Sequence, residues 1–252
     1  MDRLLIVPAA GRGSRLGADL PKALVPVAGR PMLDHLVERH APFVDRIAVV
    51  VAPSAWDQFT AYVSERSFPI DLAVQREPTG MLDAIMAATS LVNEHQPRRV
   101  VLTWCDQVAI SDATLRQLRN TTAALPPSLV LPTLEVDTPY IHFDRDSSGR
   151  IVGVRHRREG DAMPARGETD IGLFDLSLDA YRRDLLHFAR GVEQGSVTGE
   201  RNFLPFIPWL AATGGVHTFP AASAIEALGI NTPADLSAIE TYLASATRSD
   251  RT

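Results

Sequence analysis

The first 125 residues alternate short apolar runs with amphipathic stretches. RLLIVPAA (3–10), RIAVVVA (46–52), IDLAVQ (70–75) and RRVVLTWCD (98–106) are nearly continuous apolar runs. That is the pattern of strands buried on both faces. Between them the apolar period lengthens to that of a helix. PMLDHLVERHA opens at Pro31 and places Met32, Leu33, Leu36 and Val37 on one face. AWDQFTAYVSER (55–66) is a second helix. TGMLDAIMAATSLV (79–92) is a third, with Leu82, Ile85, Met86 and Thr89 at helical spacing. SDATLRQLRNTTAAL (111–125) is a fourth, with Ser111 as its N-cap. Strand–helix alternation predicts βαβ units and a mostly parallel sheet. Ligands of such sheets bind beyond the carboxyl ends of the strands. The segment after residue 10, Gln75 and Asp106 all fall there and are expected to share one crevice.

Past residue 126 the rhythm changes. SLVLPTLE, YIHFDRD, RIVGVRHR and DIGLFDLS are short strand-like runs with turns such as DSSGR between them, which predicts an antiparallel or mixed extension. LDAYRRDLLHFARG (178–191) and RNFLPFIPWLAAT (201–213) read as helices, the second interrupted by Pro205 and Pro208. GVHTFP (215–220) reads as a strand, and TPADLSAIETYLASA (232–246) as a closing helix with Pro233 in its first turn. No repeat or clear linker divides the chain. The expectation is one α/β domain over 1–247, a three-layer Rossmann-like mixed sheet with a small mixed β extension, and a short tail at 248–252.

Composition narrows the function. The chain has 252 residues and a net charge of −5, so no general attraction to nucleic acid or anionic membrane is implied. The one cysteine, Cys105, excludes an internal disulfide and a cysteine-built zinc site. The apolar run at the N-terminus is too short for a signal peptide or a membrane span, and no run of about 18 apolar residues follows. A cytoplasmic protein is expected.

GRGSRLG (11–17) follows the first strand. It matches a dinucleotide fingerprint weakly, and the second strand lacks the acid that a ribose would need at its end. A Walker A loop is absent. What remains is a loop in which Gly11 and Gly13 let backbone approach an anion, with Ser14, Arg15 and Lys22 adding a hydroxyl and two charges. That suits a nucleoside triphosphate. Lys22 is the only lysine; the other 24 basic residues are arginine. Drift toward arginine that spares one position points to a site needing a compact ammonium in place of a wide planar fork.

PAAGRGSRLGADLPKALVPVAGRPML resembles the signature of the sugar-phosphate nucleotidyltransferases, A-G-x-G-[ST]-R-[LM]…P-K…G-x-P-[LM], with eight or more positions in order over about 25 residues. QREPTGMLDAI, VVLTWCDQVAI and GINTPADLSAIE resemble three further segments of that family. Within it, the chain is most similar to uridylyltransferases acting on N-acetylglucosamine 1-phosphate and to cytidylyltransferases acting on small alcohol phosphates. The resemblance implies the nucleotide-diphospho-sugar transferase fold, with a nucleotide half (1–125) and an acceptor half (126–247). It implies that Ala10, Gly11, Gly13, Ser14 and Arg15 hold the triphosphate. Lys22 would bridge the α-phosphate and the incoming phosphate. Asp106 and Asn231 would hold Mg²⁺, and Gln75 and Gly80 would face the base. Arg15 and Lys22 would be the catalytic cations. UTP or CTP and a phosphorylated small molecule are the implied partners.

The acceptor side departs from that pattern. After GRIVGV, which contains Gly153, the amino-sugar enzymes carry a Glu where this chain has His156. Their sugar-contacting Asn aligns with Asp170, and Met81 replaces their Thr after Gly80. Gly153, His156 and Asp170 are thus expected on an altered acceptor wall. A carboxylate at Asp170 suits hydroxyl donors or an amine. Trp104 is open to two readings, lining the crevice or filling the core. Arg155, Arg157 and Arg158 read as a solvated hairpin before an anion site, and EQGSVTGERNF as a loop over the acceptor. A glycosyltransferase of similar fold would favour a D-x-D motif, absent from CDQVA. A non-catalytic nucleotide-binding protein remains the other alternative.

Overall fold

A computed structural model describes residues 1–249 except Arg12, Ser14, Arg15, Leu125 and Pro126. β1 (Arg3–Pro8) leads through the Gly loop to a small hairpin of β2 (Pro26–Val27) and β3 (Arg30–Pro31). The hairpin turns through Ala28 (φ 48°) and Gly29 (φ 80°), a left-handed pair the apolar pattern did not announce. α1 (Met32–His40), β4 (Arg46–Val51), α2 (Trp56–Ser64), β5 (Ile70–Val74), α3 (Met81–Ala87), α4 (Thr89–His95), β6 (Arg99–Thr103) and α5 (Asp112–Ala124) follow. The second half comprises β7 (Leu129–Asp137), β8 (Ile141–Arg145), β9 (Ile151–His156), β10 (Arg166–Asp170), β11 (Leu173–Ser177), α6 (Leu186–Gly191), α7 (Phe206–Ala211), β12 (Val216–Pro220) and α8 (Pro233–Ser249).

β1 is an interior strand of the main sheet, between β6 and β4. It pairs in parallel with β4 through Leu5↔Ile47 and with β6 through Leu5↔Val101, and β5 extends the sheet in parallel beyond β4. On the other side β11 runs antiparallel to β6, β7 antiparallel to β11, and β12 parallel to β7. All six residues of β1 are buried, and the pleat sends them alternately to two cores. Leu5 and Val7 join Leu33, Leu36, Phe59, Leu115 and Ile239 from α1, α2, α5 and α8. Leu4 and Ile6 join Leu82, Ile85, Val92, Phe206 and Leu210 from α3, α4 and α7. The expected three-layer α/β architecture with a mixed sheet is the one formed.

β8 and β9 make the separate antiparallel extension. β10 runs antiparallel to β7, and the extension is tied to it by His142, whose Nδ1 lies 3.2 Å from the Glu168 carbonyl. Arg145 ties it as well, pairing with the Glu168 carboxylate at 2.6 Å and donating to Thr218 on β12 (2.9 Å). No described helix is long and apolar enough to cross a membrane.

Three element boundaries differ from the sequence reading, each for a local reason. The helix expected over 79–92 is two helices that break at Ala88, where the Thr89 hydroxyl donates to the Met86 carbonyl (2.6 Å) and competes with the backbone ladder. The helix expected from 201 starts only at Phe206. Arg201 is spent on backbone bonds to Thr79 (2.7 Å) and Leu82 (3.0 Å), and Pro205 sits at the N-cap. The strand expected over 98–106 stops at Thr103, because the Trp104 N–H turns to the carbonyl of Gly172 (3.2 Å). That early stop frees Trp104 to Gln107 to form the floor of the crevice.

Candidate active site

The Gly loop is folded back on itself by two backbone bonds, Gly13 N–H to Leu20 O (3.0 Å) and Lys22 N–H to Gly11 O (3.0 Å). Gly11 is exposed, and a methyl group there would touch nothing within 4 Å. Gly13 is different. A Cβ would lie 2.7 Å from Val25 and 2.9 Å from the Leu20 carbonyl, and its N–H is already donated. Gly13 therefore serves close packing of the loop, and in this structure its N–H is donated to Leu20. Ala10 is the half-buried residue where the loop leaves β1. Ser14 and Arg15, expected on the triphosphate, lie outside the described residues.

Lys22 opens a short 3₁₀ turn, Lys22–Leu24, whose N-terminal Pro21 fixes the entry angle. The turn directs Nζ at two oxygens, Asp106 Oδ2 at 2.5 Å and Asn231 Oδ1 at 2.8 Å. Asp106 is held because its carbonyl accepts the Ile230 N–H (3.2 Å) and because Gly229 leaves room beside its carboxylate, where a Cβ would stand 3.3 Å away. Asn231 is oriented by its own amide, whose Nδ2 donates to the Gly229 carbonyl (3.2 Å) and so turns Oδ1 to the ammonium. It does not cap α8. Thr232 does that, its hydroxyl accepting the Asp235 N–H while Asp235 accepts the Thr232 N–H at 2.8 Å. Three residues from positions 22, 106 and 231 thus meet at one point.

Two adjoining cavities open from this point and share Met81, Trp104, Asp106, Arg158 and Asn231 as walls. One, of about 460 Å³, is lined also by Gly11, Leu16 and Lys22. The other, of about 500 Å³, is lined by Gln107, Tyr140, His156, Asp170, Glu200 and Phe203 among others. Trp104 serves both readings left open above, since it walls both cavities and packs on Phe174 with ring centroids 5.2 Å apart. Cys105, beside Asp106, is buried; burial pushes its thiol up to about 12, which leaves it a neutral packing residue.

Asp170 ends β10, where Gly172 (φ 70°) breaks the strand and donates its N–H to Asp170 Oδ1 (2.7 Å). Burial pushes this carboxyl up to about 6, against the pull of that N–H. His156 is half-buried beside Tyr140, ring centroids 5.3 Å apart, and desolvation lowers its pKa. Gly153 lies on β9 against the Asp144 side chain and lines neither cavity. Gln75 is buried and donates its amide to the Gly80 carbonyl (3.0 Å); Gly80, at φ 125°, packs directly on the Arg201 backbone. Neither lines the two cavities.

Of the three hairpin arginines, Arg155 is paired with Asp144 (2.7 Å) and Arg157 with the Pro139 carbonyl (2.9 Å). Arg158 faces both cavities and is paired with Glu200 at 3.1 Å. The polar segment expected over the acceptor is pinned. Glu159 accepts the N–H groups of Val197 (3.1 Å) and Thr198 (3.3 Å) and the Thr198 hydroxyl, and this last bond lowers its pKa most. Gln107 and Tyr140 carry no local signal in the sequence; Arg158 was legible only as one of three hairpin arginines, and Glu200 and Phe203 only as part of a polar loop. A hairpin, a loop and a strand-end turn from distant positions bring them together.

A family model for the MobA-like NTP transferase domain matches residues 5–166. The chain is 30% identical over 240 residues to the bifunctional protein GlmU of Cupriavidus taiwanensis, covering 94% of this chain and 51% of that protein. It is 32% identical over 244 residues to the GlmU of Cupriavidus necator, with the same coverage. For the GlmU of Pelotomaculum thermopropionicum the figures are 28% over 250 residues, 96% and 52%. The chain spans about half the length of these curated relatives. With a Gly loop after the first strand and a match across most of the chain, the protein belongs to the MobA-like NTP transferase domain family.

Proposed function

We propose that the protein is a nucleotidyltransferase that moves a nucleoside monophosphate from a triphosphate to a phosphorylated small molecule and releases pyrophosphate. The observation that carries this reading is the Lys22 ammonium, held between Asp106 and Asn231 where two cavities meet. One cavity follows the Gly loop and is the place for the triphosphate; the other is the place for the acceptor. A phosphate oxygen of the acceptor attacks the α-phosphorus, a new P–O bond forms, and the bond to the β-phosphate breaks. The nucleophile is already anionic near neutral pH, so positioning and charge neutralisation are what the protein must supply. Lys22 touches the junction and neutralises charge on both phosphates. UTP or CTP is the proposed donor; Gln75 and Gly80, bonded to one another and outside both cavities, would face its base only if that contact opened.

The residues fit a divalent ion. Asp106 and Asn231 offer two hard oxygens that converge on one point, where the Lys22 ammonium now sits. Mg²⁺ keeps several waters and takes few protein ligands beside phosphate oxygens, so two suffice. When bound, it would neutralise the triphosphate and polarise the α-phosphate.

A pyrophosphate-release screen tests the reading. Each nucleoside triphosphate is combined with sugar 1-phosphates and small alcohol phosphates in Mg²⁺. Release is expected only when both substrates are present. Transfer of a sugar from a nucleotide sugar without pyrophosphate would overturn it, as would tight triphosphate binding with no turnover on any acceptor.

A further inference from the structure

The acceptor cavity has an unusual floor. Gln107 is only 7% exposed, yet its Oε1 has no hydrogen-bond partner. A buried acceptor left unpaired costs free energy that a ligand donor recovers. Asp170 stands at the same place. Gly172, which donates its N–H to Asp170 Oδ1, is packed so closely on the Trp104–Gln107 turn that a Cβ would lie 2.8 Å from Gln107 Cγ.

The charges around the cavity single out Asp170. Of the other acids lining it, Asp106 is paired with Lys22, Glu200 with Arg158, and Asp235 accepts the N–H groups that open α8. No described cation pairs with Asp170, and it is buried. His156 is shifted toward its neutral form by burial and brings no competing charge. Three rings, Trp104, Tyr140 and Phe203, also line it, among aliphatic residues such as Ile141, Leu204 and Leu228. A buried carboxylate, an unpaired amide oxygen and ring faces together suit a positively charged donor.

We propose that Gln107 and Asp170 bind a protonated amino group, so that the acceptor is a phosphate monoester carrying an amine. Asp170 supplies the counter-charge and Gln107 accepts one N–H. Arg158, on the wall shared by the two cavities, lies on the side where the acceptor's phosphate must meet the triphosphate. The proposal rests on the transferase reading for the phosphate end and on the cavity alone for the amine end.

Calorimetry on the full chain with Mg²⁺ tests it with matched pairs, 2-aminoethyl phosphate against 2-hydroxyethyl phosphate and glucosamine 1-phosphate against glucose 1-phosphate. In at least one pair the amine is expected to bind about tenfold tighter or more. Asp170→Asn, which keeps an acceptor for the Gly172 N–H, should bring that ratio close to one. Gln107→Leu, which removes the accepting oxygen, should weaken the amine by several-fold. Circular dichroism and melting curves confirm that each variant folds, and Gln107→Met replaces the leucine variant if that one does not. Equal or tighter binding of the neutral twins in both pairs overturns the proposal, as does an undiminished preference in Asp170→Asn. Pyrophosphate release separates the two readings. Turnover restricted to neutral acceptors keeps the transferase and removes the amine site. A charge preference in binding with no turnover under any triphosphate does the reverse.

Discussion

Lys22 donates to two oxygens at 2.5 and 2.8 Å, a separation set by a single tetrahedral nitrogen. A guanidinium spreads the same charge over a plane and is longer, so it cannot occupy this point without displacing Asp106 or Asn231. Lys22→Arg is therefore expected to lower kcat/KM by at least about 100-fold while the melting temperature stays close to wild type. Steady-state kinetics beside a melting curve checks both halves, and near-normal turnover would remove Lys22 from the catalytic role. Gly80 shows the opposite dependence. At φ 125°, with a Cβ only 2.5 Å from the backbone of Arg201, it has no room for a side chain. Gly80→Ala should cost about 2 kcal/mol or more of stability, read by chemical denaturation.

At the level of elements, the segment between α6 and α7 is positioned by another element's side chain. Glu159, just after β9, gathers the N–H groups of Val197 and Thr198, and Arg158 beside it holds Glu200. The extension and the segment thus form one wall of the cavity that Gln107 and Asp170 line. Glu159→Ala should speed amide exchange at Val197 and Thr198 by at least about tenfold, with exchange in β1 unchanged. Acceptor KM should rise more than kcat falls, because the wall is displaced and the Lys22 junction is not. Unchanged protection at those two amides would show that the segment is held by other contacts.

Over the whole molecule, His40 and Asp170 are, among the described residues, buried titrating groups of opposite effect, and burial raises Asp175 in the same direction as Asp170. His40, in the last turn of α1, is fully buried with neither ring nitrogen bonded, and desolvation lowers its pKa to about 4 from 6.5. The unfolded chain takes up that proton first, so stability falls as pH drops from about 6.5 to about 4. Asp170 is raised to about 6 from 3.8, so the folded chain holds its proton longer and stability falls as pH rises through that range. Each effect is on the order of 3 kcal/mol, and between about pH 4 and 6 they oppose one another. Denaturation across that range should show His40→Leu losing stability as pH rises and Asp170→Asn gaining it. Parallel profiles for the two variants would contradict the assignment.

What the sequence determined by itself was whatever depends on local chemistry. Apolar runs of strand length and helical spacing in alternation dictate an α/β sheet, because each element must bury its own apolar face. The lone lysine and the loop around it singled out the candidate site, since composition isolates a residue before any folding is known. Asp106 was visible as the acid at a strand end, and Asn231 through its segment's resemblance to a known family. Tertiary structure decided the rest. It stopped β6 early by a bond to Gly172, spent the N–H of Gly13 on its own loop, and set Gln107, Arg158 and Glu200 around one cavity. The Gly13 bond is local, but the β6 stop and the cavity wall depend on contacts between residues 42 or more positions apart, and no local pattern of hydrophobicity or charge records which distant backbone a side chain will meet.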